Sequence, residues 1–121
     1  MNSPITLDGR KFRGISQSLA ANQDDYLLGH LRKAGAINVL SDLDGVTRTI
    51  EQRAEDLLTQ ILLSGSTHQI LAGCLTEEGK VWSRADADAN AARFAEITDA
   101  REKTAMQSYL VDFVRRFFLG G

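Results

Sequence analysis

Few side chains in this 121-residue sequence have the chemistry of a catalyst or a metal ligand: one cysteine, Cys74, and two histidines, His30 and His68. Structural zinc takes four ligands. Cys74 has no second cysteine beside it, and His68 and His30 have no companion at ligand spacing, so a metal ion would need distant carboxylates. A nucleophilic cysteine needs a base and oxyanion donors. Cys74 instead stands in Ile70-Leu-Ala-Gly-Cys-Leu75, where a thiol acts as a small hydrophobe in a core. Asp42-Leu43-Asp44-Gly45 has the opening of a calcium loop, but the twelfth position, where a bidentate Glu is required, is Arg53. Asp86, Asp88 and Asn90 recur at steps of two, which a helix distributes over different faces. Glycines stand at stops and turns, and none forms a phosphate-cradling loop. These patterns predict no catalytic residues, no cofactor and no metal: a non-enzyme.

Composition narrows the partners. A net charge of -2 does not supply the concentrated Lys and Arg that neutralise phosphates, so no nucleic-acid partner is expected. No apolar run approaches the ~18 residues of a membrane span. Met1-Asn-Ser-Pro-Ile-Thr-Leu-Asp8 lacks the basic and apolar regions of a signal peptide, and a lone cysteine suits a reducing compartment. The expectation is a cytoplasmic protein without a membrane partner.

The elements that would position these residues are mostly helical. Ile5-Thr-Leu-Asp-Gly-Arg-Lys-Phe12 carries the Asp-Gly signal of a two-residue hairpin, and so small a hairpin needs the rest of the domain or another chain's strands beside it. From about residue 16 the pattern turns helical. Asn22 offers a cap, Leu27, Leu28, Leu31 and Ala34 a face, and Gly35 a stop. Residues 36–48 offer another helical turn and a turn at Asp44-Gly45. Thr49 and Gln52 form a capping box before Ile50, Ala54, Leu57, Leu58, Ile61 and Leu62, with Gly65 as the stop. Ser66 or Thr67 opens a short apolar helix that closes near Gly79, and Trp82 packs in the core or as a staple. Ser83 and Asp86 repeat the capping signature ahead of Ala87, Ala91, Phe94 and Ala95. Thr98 or Asp99 caps the last helix, with Glu102 placed to box with Asp99. The predicted fold is mostly α: a single domain over 1–121, with a hairpin at 5–12 and five to six helices over 16–119.

The last helix is unusual. Tyr109, Phe113, Phe117 and Phe118 are four of the eight aromatic residues, and all fall in the final thirteen positions. Met106, Tyr109, Leu110, Phe113, Val114, Phe117 and Phe118 follow helical spacing, in a stripe wider than a two-helix seam requires. Phe117, Phe118 and Leu119 turn around the helix end, so one closed core does not hide all three. Tyr109, Phe113, Phe117, Phe118 and Leu119 are therefore the candidate protein-binding residues. The inner part, Met106 to Val114, is expected to serve the fold, and the tip, Phe117 to Leu119, to be covered by another chain.

This layout resembles the tail assembly chaperones of long-tailed bacteriophages. The similarity lies in the strand pair Ile5–Phe12 ahead of a small helical domain, the segments Glu55–Gly65 and Glu77–Ala87, and the aromatic helical ending. The resemblance implies a non-catalytic protein in the host cytoplasm that binds the tape-measure protein during tail assembly. A structural subunit of a tail, neck or baseplate, retained in the virion and packed as a homo-oligomer or among other tail proteins, is the alternative. A small cytoplasmic regulator or enzyme is the third reading.

Overall fold

The computed structural model describes residues 4–14, 21–35 and 49–119, without the side chains of Ile50, Phe117, Phe118 and Leu119. The helical turn expected after residue 16, the Asp42–Gly45 segment and Gly120-Gly121 lie outside the described residues. Within them the chain is mostly helical. A hairpin, β1 (Ile5–Leu7) and β2 (Arg10–Arg13), precedes α1 (Ala21–Lys33), α2 (Ile50–Ser64) and α3 (Thr67–Cys74). A two-residue strand, β3 (Thr76–Glu77), leads to α4 (Arg84–Ala95) and α5 (Ala100–Leu119).

The hairpin turns on Asp8 and Gly9, with φ of 54° and 73°. Both central residues in the left-handed region give a type I′ turn, whose twist matches the flanking strands. Pairing of Ile5 with Phe12 and Leu7 with Arg10 sends these four side chains to one face of the sheet. Leu7 and Phe12 are fully buried there, and Phe12 meets Phe94 of α4 edge-to-face at 5.3 Å between centroids. The support that so small a hairpin requires comes from this chain's own β3, antiparallel to β2, in the order β1-β2-β3. The helix expected to close near Gly79 ends at Cys74, and β3 takes up Thr76–Glu77. Two residues are too few for alternation to be visible.

The short helix α3 is the centre of the molecule. Ile70 to Thr76 are buried without interruption, so α3 has no solvent face among these positions. Helices α1, α2, α4 and α5 all contact it. At Gly73 the approach of α1 is closest: a Cβ there would lie 2.7 Å from a Leu27 methyl and 3.0 Å from Tyr26. Gln23, buried on α1, donates from Nε2 to the Gly73 carbonyl at 2.9 Å. Trp82 is buried and donates from its indole nitrogen to the Ala72 carbonyl at 3.0 Å. The expected core position of Trp82 is therefore the observed one.

Caps end the helices largely where the sequence puts them. Thr49 and Gln52 form both bonds of the capping box. Ser83 accepts the Asp86 amide, and Asp99 accepts the Glu102 amide. Glu102 does not return that bond. Its carboxylate accepts the Asp8 amide instead, tying the hairpin turn to the first turn of α5. Helix faces differ in detail from the spacing argument. Leu28, Leu62 and Ala95 are exposed, whereas Gln23, Tyr26 and Asn90 are buried. Replacing Gly73 by Ala sets a gain in helix propensity of about 1 kcal/mol against overpacking of about 1–3 kcal/mol in a site with no slack. Because Leu27 is itself buried, the clash is expected to win, lowering the urea midpoint of G73A at unchanged helix content.

Candidate functional site

Helix α5 presents the candidate binding residues in two groups. Met106, Leu110 and Val114 are buried, and so is Tyr109, at 8% exposure. A Cβ on Gly14 would lie 2.5 Å from the Tyr109 hydroxyl, so the aromatic ring closes over the end of β2. Phe113 is half-buried against the same core. The structure thus gives Tyr109 wholly, and Phe113 in part, to the fold. Phe117, Phe118 and Leu119 lie on the last turn of the same continuous helix, their side chains outside the described residues.

Helices α2 and α5 pack together, leaving between them a groove of about 830 Å³. Ala54, Leu58, Val111 and Val114 supply its apolar lining, with Glu51, Glu55 and Arg115 at its margins. Thr49, the N-cap of α2, and Arg115 border the same groove, so α5 continues for its final turn past the level at which α2 begins. Apolar exposure also occurs elsewhere. Leu62 and Leu63 are 53% and 79% exposed at the C-terminal end of α2, and Val81 is 85% exposed in the connection to α4. Leu63 lies off the series Ile50, Ala54, Leu57, Leu58, Ile61, Leu62, which was a signal of exposure available in the sequence.

The groups with chemical potential do not converge. Cys74 is buried, and burial pushes its thiol pKa up, opposite to the shift a nucleophile needs. His68 and His30 are held below their ordinary pKa by burial, His30 also by Lys33. Tyr26 meets His30 at a tilt and Trp82 edge-to-face, and donates to Asp88 at 3.1 Å; burial first, then that bond, pushes its pKa up to about 12. Among the described residues no three His, Cys, Asp or Glu side chains are placed to hold a metal ion. No described helix is long and apolar enough to cross a membrane.

A polar cluster that the sequence reading missed joins three elements. Arg10, on the inner face of β2, donates to Glu77 of β3 at 3.0 Å and to Asn90 of α4 at 2.9 Å. Its guanidinium lies 5.0 Å from the centroid of Phe12, two residues on along the same strand face. Lys80 bonds the other Glu77 oxygen at 3.1 Å. Lys80 and then Arg10 hold the Glu77 carboxyl below the usual glutamate range. These partners are 67 and 80 positions apart in the chain, and no local pattern marks them.

Protein-family models, curated proteins and solved structures offer no match to the chain.

Because the folded state lowers the pKa of both histidines, the unfolded state takes up protons first as acid is added. Their contribution to stability is complete above the ordinary histidine pKa and is lost as pH falls through the lower folded values. Urea midpoints are therefore expected to fall between pH 7.5 and pH 5, and H68Q to flatten that slope. An unchanged slope in H68Q would assign the acid sensitivity elsewhere.

Proposed function

We propose that this protein is a non-catalytic tail assembly chaperone, which binds the tape-measure protein of a long-tailed phage through the end of α5 and is released before the particle is complete. The supporting observation is the path of α5. Its backbone stays helical to Leu119, and Phe117, Phe118 and Leu119 are consecutive on it. Successive residues on an α-helix are separated by about 100°, so three in a row sweep roughly 200° of its circumference. The stripe that docks α5 on its own domain, Met106, Tyr109, Leu110, Phe113 and Val114, spans about 140° and is narrower than that. At least one of the three positions thus lies off the face that docks α5 on its own domain. Such a helix end suits a groove or an amphipathic helix on a second chain.

A tape-measure protein is a long helical chain with apolar faces, the kind of surface an aromatic helix end can shield from self-association. Cys74, the one thiol of the chain, is buried in the domain behind that end, with its pKa raised by burial. A subunit retained in the tail is the alternative reading, which the virion measurement below separates from this one.

Co-expression with a phage tape-measure protein, the cognate one being a long helical reading frame that this reading expects downstream of the gene, tests the proposal. The wild-type chain is expected to keep that protein soluble and to co-purify with it, yet to be missing from purified virions by mass spectrometry. F117E/F118E is expected to weaken the complex at least tenfold, about 1.4 kcal/mol, with little change in thermal midpoint. Undiminished binding by a folded F117E/F118E, or a fixed copy number in virions, would contradict the proposal.

A further inference from the structure

The groove between α2 and α5 has a chemical complement on the chain itself. Its floor, Ala54 and Val114, is buried, and its walls, Leu58 and Val111, are half-buried. Glu51 and Glu55, one turn apart on α2, and Arg115 on α5 stand exposed at its margins, which therefore carry one net negative charge. An occupant that matches is apolar and flanked by cations. The end of α5 has that make-up: Arg115 and Arg116 are followed by Phe117, Phe118 and Leu119. No other segment of the chain sets two adjacent arginines beside three large apolar residues.

The chain cannot make this contact with itself. Helix α5 is continuous to Leu119, and Val111, Val114 and Arg115 of that same helix line the groove. Residues 116–119 therefore run on past the groove and cannot bend back into it. A second copy has no such restriction. A two-fold axis passing close to Arg115 lays residues 116–119 of each copy antiparallel against 111–114 of the other, each stretch about one helical turn long. The contact is then made twice, as a closed two-fold interface requires. It brings Arg116 of one copy toward Glu51 and Glu55 of the other, where opposite charge selects this pairing.

We propose that the groove takes the α5 end of a second copy, in a two-fold homodimer to which each chain supplies one groove and one helix end. The assignment does not rest on the chaperone reading, because it requires no other protein. An interface of two helix ends is small, so the pair dissociates on dilution. Charge reversal is the informative change. Glu51 lies in the first turn of α2, where acid stabilises the helix, so Glu55 is the cleaner position to reverse.

The test is sedimentation equilibrium of the full chain across about 1 μM to 1 mM. The wild type is expected to pass from monomer to dimer, with no larger species. E55R and R116E each replace two attractive contacts by two repulsive ones, and each is expected to weaken the dimer about tenfold with little change in thermal midpoint. An equimolar mixture of the two variants restores opposite charge at both contacts. It is expected to dimerise as the wild type does, a rescue that only a contact between copies produces. A wild type that stays monomeric throughout would overturn the proposal and leave the groove to the chain's own residues or to a different protein. So would a dimer that E55R and R116E leave intact, or a mixture that associates no more tightly than either variant alone.

Discussion

The burial of α3 is the constraint on which the rest of the structure depends. A short helix of Thr67–Cys74 with no solvent face among Ile70 to Cys74 has to be covered from every side, and α1, α2, α4 and α5 are those covers. Fully burying a Leu or Ile side chain contributes roughly 1.5–3 kcal/mol, so Ile70, Leu71 and Leu75 each add that much to the folding drive. Close packing sets the distances. Gly73 lets Leu27 and Tyr26 approach the α3 backbone, and Gln23 and Trp82 satisfy the carbonyls this approach would otherwise strand. Cys74 is a packing residue within that arrangement.

The sheet is secured from outside itself. Three short strands gain little from their own ladder. The Asp8 amide is held by Glu102 of α5, Phe12 packs on Phe94 of α4, and Arg10 bridges Glu77 and Asn90. Each contact connects an early residue to one far along the chain. The hairpin is thus completed by the last two helices, and its free turn amide is blocked from pairing with other chains.

Local physics made much of this visible in the sequence. Asp8-Gly9, the Thr49/Gln52 box, Gly35, Gly65, Ser83 and Asp99 act through residues one to four positions away, and the structure uses each as a turn, cap or stop. Helix faces were legible to within one residue: Leu27, Leu31, Leu57 and Ile61 are inside, while Leu28 and Leu62 at the edges of their stripes are outside. What stayed hidden depends on tertiary placement. A two-residue strand has no period, Glu102 chose a hairpin amide over its own cap, and Arg10 found partners across the chain. Tyr109 shows the same limit. Its spacing marks it as apolar-facing, but only the position of Gly14 decides that it closes the core.

The domain is organised around a buried helix with its thiol enclosed. The proposed chaperone role puts the functional weight on the end of α5, beyond the residues that α2 and the core already use. Hydrogen exchange by mass spectrometry, on the protein alone and with the tape-measure protein that the proposal assigns as its partner, tests this most directly. The account predicts slowed exchange confined to residues 111–119, with α3 protected equally in both samples. Slowed exchange confined to the exposed Leu62–Leu63 end of α2, or none anywhere, would contradict it.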